Sequence, residues 1–307
     1  MRRLSRLTPV VAALLAACAR APEPPLAPSA LPFTVDTLRT RALRDGVRHH
    51  FIYSRSGPWA IQVLDVRLDR CYSAISVKGA PGAIGRATVS ELLRTLVTLR
   101  DVVGGVNADF FLFTPPGVPT GAHVSGGRVV TPPVNRPVFA IDSAGLPHIV
   151  TLSVRGGGTF TVDDTALAHA SLLPFHPIEA VGGRPVIARD SVISGDVDTF
   201  SQAGGANMRH PRTAVGIATG GRRLLLVAVD GRQAPYSDGM TLRELATLML
   251  ALGAREALNL DGGGSTALVV AERDSARGLR VANHPSDAAG ERPVGNALAI
   301  VQGCRAR

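Results

Sequence analysis

Six consecutive apolar residues follow the arginine in Arg223-Leu-Leu-Leu-Val-Ala-Val229, and a strand with that pattern has no side to turn toward water. Side chains alternate between the two faces of a strand, so this run demands cover on both and points to a buried sheet. Val294-Gly-Asn-Ala-Leu-Ala-Ile-Val301 makes the same demand, whereas Trp59–Leu68, Ser73–Val77 and Arg212–Ala218 alternate as half-covered strands do. Helical periodicity is confined to Thr88–Leu99 and Thr241–Leu252. In the second, Thr241 and Glu244 have capping-box spacing and Gly253 stands where a helix ends, which accounts for Glu244 structurally. Strands outnumber helices, so the expected class is α+β: mixed or antiparallel sheets with a few packed helices in a single domain.

The N-terminus reads as an export signal. Met1-Arg-Arg-Leu-Ser-Arg6 is charged, residues 7–17 are apolar, and Leu15-Ala-Ala-Cys18 resembles a bacterial lipobox, with Cys18 as the lipidated residue. The apolar run falls short of the roughly 20 residues of a membrane-spanning helix. An ordinary secretory signal cut after Ala19 is the alternative. A proline-dense stretch follows, so the expected division is a lipoprotein-type signal over 1–18, an extended tether over 19–32 and one domain over 33–307. The expected location is outside the cytoplasm, lipid-anchored in the bacterial envelope, facing the periplasm or the cell surface.

The formal net charge is +9, but Lys78 is the sole lysine and the arginines are scattered without interleaved aromatics. A nucleic-acid partner is therefore not expected. With Cys18 set aside for lipid, Cys71 and Cys304 are left, and export to an oxidising compartment invites a disulfide between them. Two unpaired thiols are the alternative.

Asn259-Leu-Asp-Gly-Gly-Gly-Ser-Thr266 is the stretch that core packing does not explain. Glycines bury no side chain and cost backbone entropy, whereas Gly262, Gly263 and Gly264 beside Asp261 offer positive φ and bare N–H groups to an anion. A glycine-rich hairpin turn is the plain alternative. Three other polar clusters adjoin strands: Asn107 with Asp109, Arg212 with Thr213, and Asp230 followed by Gly231. Each alone admits a structural explanation. Together, carboxylates, a guanidinium and a glycine nest suit phosphate-bearing sugar chemistry.

Asn107-Ala-Asp-Phe-Phe111, Ala180-Val-Gly-Gly183, Pro211-Arg-Thr-Ala-Val-Gly216, Asp230-Gly-Arg232, Asn259–Ser265 and Pro285-Ser-Asp287 together resemble the phosphodiester glycosidase family over about Val66 to Val301. The resemblance implies hydrolysis of the bond between an anomeric carbon and a phosphodiester oxygen. Asp261, Asp230 and Arg212 would be catalytic. Asn107, Asp109, Thr213, Gly183, Gly262, Gly263, Gly264 and Ser265 would line the substrate site. Asp109 departs from the eukaryotic members, which carry glycine there, and Gly183 has a steric alternative. Arg212 and the glycine N–H groups would hold the phosphodiester while Asp261, or Asp230 in its place, faces the anomeric carbon. The expected partner is a phosphorylated carbohydrate, with no cofactor and no metal. Three rivals stand beside this: a serine hydrolase using Ser265, which lacks a nucleophile elbow; a metal-dependent phosphodiesterase using Asp196, Asp198, Asp230 and Asp261; and a non-catalytic module that binds phosphorylated glycans.

Overall fold

A computed structural model describes residues 26–78, 82–155, 159–162, 174–202, 207–218, 220–272 and 278–303. The expected signal peptide, Cys18 and Cys304 lie outside them. The Arg223–Val229 strand sits fourth in an eight-stranded sheet running Thr37–Arg44, Val47–Ser54, Trp59–Arg67, Arg223–Val229, Arg212–Ala218, Ala254–Asn259, Val186–Arg189, Val192–Ile193. Every pairing in it is antiparallel. The double cover that the apolar run required is present. Leu224, Leu226 and Ala228 join one core, and Leu225, Val227 and Val229 join another on the opposite face.

The first of these cores packs against two further antiparallel sheets. One, of five strands, runs Leu279–Val281, Leu268–Ala271, Asp101–Asn107, Ala297–Gln302, Tyr72–Val77. The other, of seven, places Arg136–Asp142 between Pro147–Arg155 and Pro177–Gly182 and ends on His123–Ser125 and Arg128–Thr131. The second core lies under the Leu242–Ala251 helix, which contributes Leu242, Leu245, Ala246, Leu248 and Met249. Its capping box forms as the spacing requires, with Thr241 accepting from the Glu244 N–H and Glu244 accepting from the Thr241 N–H, and Gly253 follows at φ +92°. The architecture is thus α+β, with sheets dominating.

Some boundaries shift: the strand expected over Val294–Val301 spans Ala297–Gln302. The helix expected over Thr88–Leu99 spans Val89–Arg94 and continues as turns. Leu31, placed in the tether, is 7% exposed and belongs to the core under the eight-stranded sheet, so the folded body begins before Phe33. Cys71 is disulfide-bonded; its expected partner lies outside the described residues, while that residue's neighbour Gly303 donates its N–H to the Cys71 carbonyl at 2.7 Å.

Candidate functional site

Antiparallel pairing brings the end of each strand beside the start of the next, and this gathers the polar clusters at one edge of the molecule. Arg212 opens its strand opposite Val229, the last residue before Asp230. Ala214 pairs with Asn259, Leu268 with Val106, and Ala297 with Asn107. Residues far apart in the chain, 107–109, 211–213, 230–232, 259–267 and 283–296, therefore meet.

Two buried asparagines hold the glycine loop. Asn107 donates from Nδ2 to the Asp261 carbonyl at 2.6 Å, and its Oδ1 accepts from Thr213 Oγ1 at 2.8 Å and from the Ala267 N–H at 3.1 Å. Asn283 donates to the Thr266 carbonyl at 3.1 Å and to Asp230 Oδ1 at 3.0 Å, and accepts from the Leu268 N–H at 2.8 Å. Asn107 and Thr213, expected to touch substrate, are 0% exposed and bonded to each other. Their position is corrected: they brace the loop from beneath. Gly183 is also steric, since a Cβ there would stand 2.7 Å from the Asn259 carbonyl oxygen.

The loop differs from a row of free N–H groups. Gly262 donates to Asp261 Oδ1 at 2.9 Å and Gly263 to the Pro211 carbonyl at 2.9 Å, so only the Gly264 N–H makes no hydrogen bond among the described residues. The glycines serve chiefly to admit neighbours. Gly263 takes φ +61°, and a Cβ at Gly264 would overlap the Asp287–Arg292 ion pair. Ser265 is buried beside Asp261, its hydroxyl acting electrostatically on that carboxylate without meeting hydrogen-bond geometry.

Of three carboxyls at this edge, Asp109 and Asp230 are buried and Asp261 is half-buried, and desolvation lifts each toward neutrality. Asp261 is pushed up to about 6 against the opposing pull of Ser265, the Gly262 N–H and the Arg292 guanidinium. Asp230 is likewise raised by burial to about 6, although it accepts from Asn283, from the His284 N–H at 2.9 Å and from the Tyr236 hydroxyl at 3.1 Å. Asp109 rises furthest, to about 7; burial dominates, the Gly121 N–H at 2.6 Å and Arg136 oppose it, and the charge on Asp261 adds to it. A carboxyl whose pKa is raised on folding stabilises the fold most below its unfolded value near 3.8, and that contribution is lost as pH climbs through the folded value. Asp109→Asn is therefore expected to raise Tm at pH 8 and to change it little at pH 4. Thermal melts at the two pH values check this, and an equal shift at both would contradict it.

The cations occupy two flanks. On the first, Arg212 is 9% exposed and donates to the Met240 carbonyl at 2.8 Å and the Met208 carbonyl at 3.0 Å, with burial and nearby Arg232 pulling its pKa down to about 10. It braces the strand entrance, and the guanidinium that acts on Asp261 is Arg292 instead. Arg232 is exposed, in left-handed conformation at φ +60°, with its guanidinium nitrogens 3.3 Å from where a Gly263 Cβ would be. Its nearest side-chain partner is His210 Nδ1 at 3.4 Å, and it makes no salt bridge among the described residues. On the second flank, near Asp109, stand Arg136 and Arg184. Glu244 keeps its capping role and pairs with Arg209 at 2.6 Å. Asp198, a ligand in the metal-dependent alternative, pairs with Arg243.

Asn283, Tyr236, His284, Arg292, Arg136 and Arg184 carried no local signal, each sitting alone in an ordinary stretch. Arg232 and Asp287 did lie inside recognisable motifs, where the adjoining glycine and serine hinted at close packing.

The phosphodiester glycosidase family model matches residues 100–301. Over 64 residues the chain is 41% identical to the SPbeta prophage-derived uncharacterized protein YomE of Bacillus subtilis (strain 168), covering 21% of this chain and 10% of that protein. Among solved structures, a hypothetical protein from Synechocystis superposes with a TM-score of 0.61 at 17% identity, covering 87% of this chain and 64% of that one. The zebrafish N-acetylglucosamine-1-phosphodiester alpha-N-acetylglucosaminidase catalytic domain, auto-inhibited by its pro-peptide, does so at 0.59 and 21%, covering 87% and 82%. At such identities the superpositions speak for the fold. The chain spans less than two thirds of the Bacillus and Synechocystis relatives.

Proposed function

The chain belongs to the phosphodiester glycosidase family, and on that premise we propose that it hydrolyses the sugar–phosphate bond of a glycosyl-1-phosphodiester. One observation carries this reading: an exposed guanidinium with no carboxylate partner among the described residues, Arg232, lies over Gly263, two residues from the half-buried acid Asp261. A phosphodiester carries one negative charge spread over two oxygens, which a guanidinium matches by paired N–H donors. Arg232 with His210 and the Gly264 N–H would hold it there.

Asp261, ionised above about pH 6, would take a proton from water as the water oxygen bonds to the anomeric carbon. The carbon–oxygen bond breaks, its electron pair leaves with the phosphate, and the products are a free sugar and a phosphomonoester. Asp230, bonded to Asn283, Tyr236 and the His284 N–H, would hold the neighbouring loops in register. The phosphate is already a good leaving group, so little acid assistance is needed. In our proposal the enzyme works outside the cytoplasm, held to the bacterial envelope by lipid on Cys18.

Incubation of the protein with a glycosyl-phosphodiester should release free sugar. Tight binding without release would replace this reading with a binding module. Arg232→Gln is expected to raise KM about ten- to a hundredfold, since a hydrogen bond to a charged group is worth roughly 1.5–3 kcal/mol. An unchanged KM would move the phosphate elsewhere.

A further inference from the structure

Around Asp109, next to Asp261, stands a second cationic cluster that a single phosphodiester held at Arg232 leaves unused. The Arg184 guanidinium carbon stands 5.6 Å from the Phe110 ring centre and 5.5 Å from that of Phe200, so the planar group is held by two aromatic rings. Its Nε is buried with no hydrogen-bond partner, and the side chain makes no salt bridge among the described residues. Arg136 anchors Nη1 on Thr120, at 2.9 Å to the hydroxyl and 3.3 Å to the carbonyl, and it and Arg184 repel each other electrostatically. The nearby countercharge acting on both is Asp109, whose carboxylate accepts the Gly121 N–H and is packed so closely against Gly182 that a Cβ there could not fit. Among the described residues, two guanidinium groups thus share the one carboxyl of Asp109.

A second orphan lies beside them. Asn259, 2% exposed, donates from Nδ2 to the Arg184 carbonyl at 2.7 Å, yet its Oδ1 has no partner among the described residues. A buried amide oxygen left without a donor is destabilising, and a ligand hydroxyl would satisfy it. Asn259 precedes Asp261 by two residues in the strand-end loop, and the Asp261 N–H donates to the Ala108 carbonyl, next to Asp109, at 2.9 Å. The cluster therefore adjoins the acid, whose charge acts on Asp109.

We propose that this flank binds the sugar being released, and that this sugar carries an anionic group of its own, held by Arg184 and Arg136, with Asn259 Oδ1 accepting from a ring hydroxyl. The inference rests on the glycosidase reading and adds its substrate class. A carboxylate on the sugar, or a second phosphate as in a chain of sugars joined through phosphodiesters, supplies the same chemistry.

The test compares three synthetic glycosyl-1-phosphodiesters sharing one alcohol: a neutral hexose, its C6 carboxylate and its C6 phosphate. With the full-length protein, at least one charged sugar should show kcat/KM ten or more times that of the neutral one. The carboxylate arm and the phosphate arm tell the two sources apart. Arg184→Gln and Arg136→Gln should each bring that ratio toward one, and a Tm measurement verifies that the variants are folded. Cleavage of all three at similar rates by the wild type, or a ratio that survives both substitutions, overturns the proposal while leaving the glycosidase reading intact. Sugar release from none of them defeats the glycosidase reading itself, and this inference with it.

Discussion

Asp261→Asn is expected to lower kcat/KM on a glycosyl-1-phosphodiester by about two to four orders of magnitude, the usual span for losing a positioned proton acceptor. The amide keeps the shape and can still accept the Gly262 N–H, so the loop should persist. Tm at neutral pH should stay level or rise, because the carboxylate that burial disfavours is gone. In the wild type, kcat/KM should climb with pH through about 6 as Asp261 loses its proton. Turnover by the variant within a few-fold of wild type would take Asp261 out of the mechanism. A collapsed Tm would mean the acid is structural.

Asn107→Ala should act on stability. The substitution strips partners from the Asp261 carbonyl, the Thr213 hydroxyl and the Ala267 N–H together, all at a site with no exposure. A buried polar group left unpaired costs about 1–3 kcal/mol, so the expected loss is roughly 3–5 kcal/mol after partial relaxation. Chemical denaturation measures it directly. Asn107→Asp preserves the two accepting contacts and loses only the donated bond, so it should fall between. If Asn107→Ala instead raised KM at unaltered stability, the residue would be a substrate contact after all.

Much of the fold was legible in periodicity. Arg223–Val229 announced a strand covered on both faces, and Thr241 with Glu244 and Gly253 marked the helix that covers one of them, because these signals are local and local chemistry decides them. The candidate site was legible in part. Asp261 and its glycines stood out, since three side-chain-free residues beside an acid have no use in a core. Asn107 and Thr213 were also visible as a pair of polar residues near strand ends, but whether such a residue faces substrate or braces a loop depends on what stands across from it. Arg212 shows the same division: an arginine entering a strand is visible in sequence, while its capture by the carbonyls of Met208 and Met240 is not.

By itself the sequence determined several of the central strands, where the Thr241 helix begins and ends, and which loop is built to let other groups come close. Only tertiary structure decided that Arg232, not Arg212, lies over that loop, that Asn107 and Asn283 brace it from beneath, and that Arg136 and Arg184 face Asp109 beyond it. The reason is physical. Strand and helix signals follow from the geometry of neighbouring residues, whereas burial, charge and hydrogen-bond partnership belong to groups a hundred or more positions apart that antiparallel registers bring within a few ångströms.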